Sequence, residues 1–568
     1  MEDRSNYWLK RRVSRRTAIK GSAVAGVGAA ALSLVGCGDD DDGGAPAGGE
    51  KGLLPTAGIT PTVVARQPKP GGSFSFQIGN NPPSLDPFTA TSFICSYMNS
   101  LSYSKLLRFK AGVPEVVPSD FSKEVDLAQK MPEQPDPQTY VFKVKPAKFH
   151  NGRTVTSEDV RYSLDRYQNF EKSVHKSTIA WLDKMETPDE STIVIKTKFP
   201  YADAIEILGG SLGAWIVPKE HAESADATTK MVGSGPFVHT EFKTGVSLSF
   251  KKDTNYFDKP YPYFDDVTVQ ITSDQAKRVA DFSAKSVNLS WIFLADERDQ
   301  VKKNRADAKL EETQGIGGYI YMRTDRPPFN DKRVRQAMSM GLNRKAIRDA
   351  ITKGEGVNDQ TVWVGFPFAR QVKDLGPAAK YWDYNPGEAR KLLDAAIGAG
   401  NKIETTWDHA DAAVYTQAYV DISTLSQSQL KEIGINIKDQ VAPYAQYIST
   451  TYQGQYEGMG HSPRAVFQFL DFLSERLSFA DGKRARINLS YVNNPTLEAL
   501  LTKQKQQFNL QERLQTVKEI ESLVAEEQYE IYYSTTTNSY FWDNDIQNYR
   551  PSAFFPYTHI LKTWRDKA

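Results

Sequence analysis

This 568-residue chain contains no recognisable set of catalytic side chains. Gly233-Ser234-Gly235 lacks the spacing of a nucleophile elbow, because the second glycine directly follows the serine. Gly315-Ile316-Gly317-Gly318 is not followed by the lysine of a phosphate-binding loop, and we interpret it as a hinge or turn. The seven histidines include no pair at the helical spacing of metal ligands. We therefore predict no enzymatic activity, no metal site and no cofactor.

Aromatic residues are abundant, with 27 Tyr, 28 Phe and 9 Trp, and they are candidates for contacts with a ligand. An aromatic ring at a strand end or in a loop can stack on a sugar, a peptide side chain or a planar organic molecule. Each ring is also a plausible core residue, so both interpretations stay open. The aromatic candidates, in loops or near strand ends, are Trp291, Trp363, Trp407 and Tyr533. A further candidate, Asn81, lies in the loop after the first predicted strand.

The elements that position such side chains are clearest in residues 139–166. Residues 140–144 alternate between two faces, which predicts a half-buried strand. Asn151-Gly152 indicates a tight turn. Residues 156–159 (Thr-Ser-Glu-Asp) then supply an N-cap hydroxyl and carboxylates for the first turn of a helix. The stretch is therefore predicted as strand, turn and capped helix.

This stretch also resembles the signature of the family 5 extracellular solute-binding proteins, the peptide- and nickel-binding components of ABC importers. The resemblance rests on Phe149-His150-Asn151-Gly152 followed by Glu158-Asp159-Val160, on 233–237 (GSGPF) and on 327–337 (PPFNDKRVRQA). It covers about residues 70–568. It implies two lobes that close on a solute, and a structural role for His150.

The predicted fold class is α/β, a two-lobed periplasmic-binding-protein-like fold of type II with an extra domain. Mixed sheets flanked by helices are expected, with crossover strands that act as a hinge. Lobe I is expected to be discontinuous and to consist of residues 71–102, 225–315 and 535–568. The small extra domain is expected at 103–224, and lobe II at 316–534.

Further elements follow from local patterns. We predict strands at 264–272 and 288–293, and helices at 275–284 and 413–433. At Gly233-Ser234-Gly235 the missing side chains predict that two chain segments pass closely, where the chain returns from the small domain to lobe I.

The N-terminal residues 1–36 are typical of a twin-arginine-type lipoprotein signal, and residues 37–70 of a flexible tether. The apolar stretch ends at Cys37, which resembles a lipidation site; a plain secretory peptide is the alternative. Lipid on Cys37 would hold the protein to a membrane outside the cytoplasm, in the periplasm or at the surface of a bacterium. Cys95 is the second of two cysteines, so no disulfide framework is expected.

Residues 459–473 correspond to the segment in which peptide-binding relatives anchor the ligand's amino terminus with an Asp. Here no Asp precedes Phe469, and His461 and Arg464 stand there instead. A cation at this place would repel an ammonium group and attract a carboxylate or phosphate. Asp471 is the displaced anchor if the loop is longer in this chain. Alternatively, Arg464 is a solvated loop residue.

The resemblance implies capture of a peptide or peptide-like solute in an interlobe cleft and its delivery to ABC permease subunits. An oligosaccharide, an anionic metabolite or a metal chelate is the alternative ligand, and a surface-anchored hydrolase is the alternative of another class. The formal net charge of +1 gives no reason to expect a nucleic-acid partner, and we expect a monomer. No apolar run is long enough to cross a bilayer.

Overall fold

The computed structural model describes residues 67–90, 92–110, 120–210, 212–464, 469–552 and 560–566. The predicted signal, Cys37 and most of the predicted tether lie outside these residues. The expectations on export and lipid attachment therefore stay predictions.

Strands and helices alternate along the described residues. The strands are β1 (Ser73–Ile78), β2 (Leu107–Phe109), β3 (Lys123–Val125), β4 (Glu133–Asp136), β5 (Thr139–Lys143), β6 (Leu182–Asp189), β7 (Thr192–Thr197), β8 (Phe237–Lys243), β9 (Ser247–Lys252), β10 (Asp266–Ile271), β11 (Leu289–Ile292), β12 (Lys309–Gln314), β13 (Gly318–Met322), β14 (Ile403–Ala410), β15 (Ile435–Ala442), β16 (Met459–Pro463), β17 (Phe479–Ala480), β18 (Lys483–Arg484), β19 (Glu530–Tyr532), β20 (Thr537–Trp542), β21 (Ile546–Gln547) and β22 (Trp564–Arg565). The helices are α1 (Phe93–Ser102), α2 (Ser157–Asn169), α3 (Ala204–Gly210), α4 (Lys219–Ala222), α5 (Gln275–Ser283), α6 (Ala295–Asn304), α7 (Lys332–Gly341), α8 (Arg344–Thr352), α9 (Pro386–Ile397), α10 (Ala412–Tyr415), α11 (Gln417–Glu432), α12 (Tyr444–Ser449), α13 (Phe472–Leu477), α14 (Pro495–Lys505) and α15 (Leu510–Glu527). Short 3₁₀ helices lie at Val372–Asp374, Gly376–Trp382 and Thr451–Gln453.

The largest sheet has seven strands in the order β12-β20-β11-β1-β10-β9-β8. Strand β1 runs parallel to β10 and β11, and the other pairs are antiparallel. Phe74 and Phe76 of β1 are buried in one core with Tyr97 of α1. On the opposite face, Ile292 and Phe541 pack with side chains of α5 and α6. The sheet is therefore covered on both faces at its β11–β20 side.

A five-stranded sheet follows the order β15-β14-β16-β13-β19 and has its own hydrophobic core. Helix α7 packs against this sheet and is joined to the end of α15. Arg335 donates through Nε to Glu527 O at 2.8 Å and through Nη2 to the Glu527 carboxylate at 2.9 Å. Asp331 caps α7 by accepting from the Arg333 backbone at 2.9 Å. Within the run 327–337, Asp331 and Arg335 thus have structural roles, in capping α7 and in joining it to α15.

A four-stranded antiparallel sheet, β4-β5-β7-β6, contains the strand of the stretch 139–166. Tyr140 and Phe142 are buried, as their alternation predicted. Thr156 and Asp159 form a capping box at the start of α2. Arg153 fixes the same Asp159 through a two-pronged contact, with Nη1 at 3.0 Å and Nη2 at 2.6 Å. The predicted strand, turn and capped helix are confirmed.

The motifs at 149–152 and 233–237 are in contact with each other, and the second passes close to the end of α1. The His150 backbone donates to Gly233 O at 2.7 Å, and His150 Nε2 lies 3.0 Å from Gly235 O. A Cβ at Gly233 would overlap Ser102 O, and one at Gly235 would lie 2.5 Å from Ser102 C. The close passage predicted from the missing side chains is confirmed, and His150 is bonded to the backbone of the crossing segment.

The seven- and five-stranded sheets are joined by two short connections, which we call the crossover ribbon (residues 314–318 and 532–537). One connection leads from β12 to β13 and the other from β19 to β20. The two are hydrogen-bonded to each other, with Gly315 N donating to Thr536 O at 2.8 Å and Tyr533 N donating to Gly318 O at 3.0 Å. A Cβ at Gly317 would lie 2.8 Å from Ser534 O, so only glycine fits without a shift. Crossover strands between two sheets are thus present, as the fold class requires.

One helix differs from its prediction. The structure divides the expected helix 413–433 into α10 and α11 at Thr416, which has a positive φ of 80°. A β-branched residue rarely adopts this left-handed backbone. No glycine or proline stands there to signal the break.

Candidate functional site

The loop 359–368 of the five-stranded part lies against the crossover ribbon. Trp363 is buried, and its indole Nε1 donates to Gly315 O at 3.1 Å. The backbone N of Asp359 donates to Tyr533 O at 3.0 Å. Since these bonds reach both strands of the ribbon, the loop is fixed to the junction of the two sheets.

The same loop also contacts the region predicted as a small domain. Phe366 is buried and lies edge-on to Phe121, with ring centroids 5.6 Å apart. It packs on Trp363 at 5.4 Å as well. Three separate parts of the chain therefore converge at the crossover ribbon, which makes this the candidate site.

Arg464 is completely buried in an ion pair beside the ribbon. Its Nη1 lies 2.6 Å from Asp359 Oδ2 and 2.5 Å from Gln360 O, and Nη2 donates to Thr361 O. The side chains of Arg464 and Asp359 are both 0% exposed. The interpretation of Arg464 as a solvated loop residue is wrong. A ligand anion at this position would have to compete with Asp359 for the guanidinium.

His461, Tyr533 and Trp407 are brought together, within the core of the five-stranded sheet. The His461 ring stacks on Tyr419 with centroids 4.4 Å apart, and it lies 5.0 Å from Tyr533 and 6.4 Å from Trp407. His461 Nδ1 is 2.9 Å from Ser423 Oγ. Burial lowers the pKa of His461 to about 3, so the ring is neutral near pH 7.

The hydroxyl of Tyr533 lies 2.7 Å from Ser426 Oγ, and burial raises its pKa. The indole N–H of Trp407 is buried and makes no hydrogen bond. These rings were predicted as cleft contacts or core residues, and the structure gives each of them core surroundings.

Asp471 lies where α13 meets the region predicted as a small domain. Its Oδ2 accepts from Tyr201 Oη at 2.9 Å, and its Oδ1 accepts from Gln504 Nε2 at 2.9 Å and from Ser474 Oγ. Burial raises the pKa of Asp471. Both carboxylate oxygens are therefore engaged within the protein, so a ligand ammonium would have to replace one of these donors.

Asn81 is exposed and holds a turn of the seven-stranded sheet. Its Oδ1 accepts from the Gly245 backbone at 2.7 Å, in the loop between β8 and β9. This contact does not bring Asn81 together with the other candidate residues.

Trp291 remains half-buried on β11. Its ring lies 4.7 Å from Tyr97, 5.9 Å from Phe76 and 6.2 Å from Tyr540 between centroids. Its indole also lies beside the Tyr549 hydroxyl, its hydrogen-bond partner. Trp291 is therefore half-buried among other rings, whereas Trp363, Trp407 and Tyr533 are fully buried.

Sequence reasoning missed Asp359, which balances the charge of Arg464. No local signal could have found it, since the two residues are 105 positions apart.

A second ionic link lies next to the ribbon. Arg298 of α6 lies 2.6 Å from Glu355 through Nη1 and Oε2, and it reaches the other carboxylate oxygen through Nη2. Lys353 is paired with Asp296 of the same helix. Residues 353–355 follow α8 of the five-stranded part, so two ion pairs span the same junction as the ribbon.

Three further features concern the part of the chain that the structure describes. No group of three or more His, Cys, Asp or Glu side chains there is placed to hold a metal ion. No helix there is both long and apolar enough to cross a membrane. Cys95 is buried and donates to Ser84 O at 3.1 Å, and burial raises the pKa of its thiol to about 11, as is typical of a structural cysteine in a core.

The sequence matches known proteins over most of the folded part. Residues 124–466 match the model of the bacterial extracellular solute-binding proteins, family 5, middle region. A Brucella ovis protein named as an ABC transporter peptide-binding protein is 26% identical over 339 residues, which cover 58% of this chain and 62% of that relative. The match thus spans less than two thirds of the relative's length. The glutathione-binding protein GsiB of Pectobacterium atrosepticum is 22% identical over 462 residues, covering 78% of this chain and 85% of its own.

Solved structures share the fold. AgaA of A. tumefaciens R10, in complex with agropinic acid, aligns with a TM-score of 0.76 at 23% identity, over 88% of this chain and 99% of its own. The oligopeptide-binding protein AppA of Bacillus subtilis, in complex with a nonapeptide, aligns with a TM-score of 0.73 at 21% identity, over 88% of this chain and 100% of its own. At these identities the likeness establishes the periplasmic-binding-protein fold.

Proposed function

The chain belongs to the bacterial extracellular solute-binding proteins of family 5, and on that premise we propose that it captures a peptide or peptide-like solute for an ABC importer. The observation that carries the proposal is the crossover ribbon, which joins two sheets with separate cores through two short, mutually bonded strands. Such a junction allows two bodies to close around a solute. The family is one of binding proteins, not of enzymes.

Capture requires that the ligand bind the closed arrangement of the lobes better than the open one. A ligand with equal affinity for both would shift nothing, however tightly it bound. In this proposal, 71–102, 225–315 and 535–568 form lobe I, 316–534 forms lobe II, and 103–224 is the small extra domain. The permease then recognises a surface that exists only in the closed, loaded protein.

A peptide is favoured over an anionic metabolite by the state of Arg464. Its charge is already balanced by Asp359 at 2.6 Å in a fully buried pair, so it offers no free cation to an anion. The dipeptide-binding protein of Escherichia coli and the nonapeptide complex of AppA show by their names that peptides are bound within this group of relatives. Binding of an oligosaccharide or a metal chelate is a further outcome of the binding test described below.

Attachment to a membrane through lipid on Cys37, after cleavage of residues 1–36, belongs to the same proposal. It places the binding body near the permease in the periplasm or at the cell surface. Its test is the mass of the protein extracted from membranes of the producing bacterium. A diacylglyceryl adduct on a chain starting at Cys37 supports it, and an unmodified cysteine contradicts it.

The binding proposal is tested by mass spectrometry of small molecules that copurify with the protein. After these are removed by unfolding and refolding, melting temperatures are measured with a synthetic tripeptide library, a set of oligosaccharides and agropinic acid. Peptides that copurify and raise the melting temperature support the proposal. A rise with only sugars or anions overturns the peptide assignment, and release of cleaved peptides would indicate a hydrolase.

A further inference from the structure

We propose that the contact between the small extra domain (103–224) and lobe II is a latch, which forms when the lobes close on a solute and separates when they open. The latch consists of Tyr201 and Asp203 of the small domain and of Asp471, Gln504 and Arg513 of lobe II. The inference rests on the proposed function, because it requires that the lobes move relative to each other. It concerns how the loaded state is held, and not which solute is bound.

A buried ion pair forms the centre of the latch. Arg513 of α15 binds the Asp203 carboxylate through two nitrogens, with Nη1 donating to Oδ1 at 2.7 Å and Nη2 donating to Oδ2. The two side chains are 1% and 2% exposed. Arg513 Nε donates to Gln504 Oε1 at 3.0 Å, which orients the guanidinium. Because a two-pronged pair requires both distance and direction to match, it defines a single docking geometry of the two regions.

Further hydrogen bonds satisfy the remaining polar groups of the latch. The Asp471 backbone N donates to Asp203 Oδ2 at 2.8 Å, and Tyr201 Oη donates to Asp471 Oδ2 at 2.9 Å. Gln504 Nε2 donates to Asp471 Oδ1 at 2.9 Å. Every side chain of the latch is thus hydrogen-bonded, and the bonds of Tyr201 and Asp203 cross from one region to the other.

The contacts around the latch are also made mainly by side chains. Lys505 Nζ lies over the Phe199 ring, 5.5 Å from its centroid, and Glu475 of α13 faces Ser177. A backbone bond, from Ala202 N to Lys505 O at 2.9 Å, lies beside them. Such an interface can separate without breaking any strand pairing, because none of the sheets extends across it.

The small domain is joined to lobe I in a different way. His150 N donates to Gly233 O at 2.7 Å, and Arg108 donates to Tyr256 Oη at 3.0 Å. A Cβ at Gly233 would overlap the backbone of α1, so the segments there have no room to shift. In the proposed division the chain also passes directly between lobe I and the small domain, at 102–103 and 224–225, but nowhere between the small domain and lobe II. The contact with lobe II is therefore the one that separates.

The balance of charges in the latch suits a reversible contact. When the lobes open, Arg513 and Asp203 regain water, and this hydration offsets much of the attraction that is lost. If one partner is removed, the other carries a charge that is costly to bury, so only the closed state is penalised. Since the latch touches the protein alone, it favours the closed state equally for every solute and does not select among solutes.

The first experiment measures hydrogen exchange in the wild-type protein, without ligand and with the tripeptide library. The amides of Ala202 and Asp471 donate across the latch, whereas the amide of His150 donates to lobe I and is the control. Without ligand we expect protection factors at Ala202 and Asp471 about tenfold or more below that at His150. Tripeptides should raise the first two and leave the third unchanged. Equal protection of all three amides without ligand overturns the inference, because the contact is then permanent.

The second experiment compares Arg513→Gln with the matched control Arg476→Gln. Arg476 forms an equally buried pair with Glu530, 2% and 0% exposed, but both residues belong to lobe II. Arg513→Gln should weaken the binding of all tripeptides by the same factor, about tenfold or more, and change the melting temperature of the ligand-free protein little. Arg476→Gln should lower that melting temperature by several degrees.

Unchanged tripeptide affinity of Arg513→Gln overturns the inference. An equal fall in the melting temperatures of the two ligand-free variants also overturns it, since the Arg513 pair is then part of the permanent fold. If the wild type binds no tripeptide, the peptide assignment of the proposed function fails. Hydrogen exchange and melting temperatures of the ligand-free proteins then still decide whether the contact separates.

Discussion

The two sheets that meet at the crossover ribbon differ in how their polar side chains are bonded near the junction. On the five-stranded side, Arg464 is paired with Asp359 and His461 with Ser423. On the seven-stranded side, Thr313 and Asn538 lie opposite each other beside the Tyr540 hydroxyl. The first group is held by a buried ion pair, whereas the second consists of neutral side chains. A substitution that leaves a charge unbalanced is therefore expected to cost more stability on the five-stranded side than a substitution in the neutral group.

The largest expected effect concerns the buried pair on the five-stranded side. Arg464→Met leaves the Asp359 carboxylate buried without its partner, so we expect the free energy of unfolding to fall by about 3–5 kcal/mol. Denaturant unfolding followed by circular dichroism measures it. The control is Arg326→Met, which breaks a pair with Glu457 that is 39% and 79% exposed, and it should cost less than about 1 kcal/mol. Similar losses in both variants would contradict the view that burial makes the Arg464–Asp359 pair costly to break.

A second test acts on the ribbon between the sheets. Gly317→Ala places a Cβ 2.8 Å from Ser534 O, a backbone atom that cannot rotate away. We expect a loss of about 1–3 kcal/mol in the free energy of unfolding. Gly387→Ala in α9 is the control, because its nearest neighbour is 3.7 Å away and alanine favours a helix, so that variant should be neutral or more stable. A neutral Gly317→Ala would show that the two strands are not held closely.

The pH dependence of His461 sharpens the comparison further. Its pKa is lowered from 6.5 to about 3 by burial, so between these values the unfolded chain binds a proton that the folded protein does not. Its contribution to stability is complete above pH 6.5 and is lost as the pH falls towards 3. At pH 5 the loss is about 2 kcal/mol.

Since other groups titrate in the same range, the measurement is the stability difference between wild type and His461→Gln at pH 7 and pH 5. We expect that difference to shrink at pH 5, because only the wild type loses stability through this residue. A difference independent of pH would mean that folding does not lower the pKa of His461.

The smallest expected effect belongs to the ion pairs that span the junction. Glu355→Gln removes the nearest of the three carboxylates that face Arg298, whose side chain is 10% exposed, while that of Glu355 is 34% exposed. We expect a loss of about 0.5–1 kcal/mol at low salt, and a smaller one at about 1 M NaCl because ions screen the pair. Thermal unfolding at the two salt concentrations measures it. A loss that does not change with salt would assign Glu355 a packing role.

Local patterns predicted much of the fold. Helix α5 and strands β10 and β11 lie within two residues of their predicted bounds, because periodicity and caps act over short distances. The break at Thr416 was missed because its backbone is set by surroundings that the local sequence does not reveal.

The candidate site was harder to predict, because burial depends on residues far away in the chain. Arg464 looked like a free cation, but its partner Asp359 lies 105 positions earlier. The sequence did not distinguish Trp291 from Trp363. In the structure Trp291 is half-buried, whereas Trp363 is buried and its indole donates a hydrogen bond to Gly315 of the crossover ribbon. The pairing of Thr313 with Asn538 likewise follows from the sheet order.

The bonding within the crossover ribbon also bears on the entropy of ligand capture. Two unconnected linkers would leave the parts they join free to slide and twist as well as to bend. Here the bonds Gly315–Thr536 and Tyr533–Gly318, with Gln314 Nε2 donating to Thr536 O at 3.1 Å, would break if one strand slid past the other. Bending both strands together keeps these bonds intact. We therefore expect the two sheets to sample few relative orientations without ligand, so that little orientational freedom would be lost when a solute is enclosed.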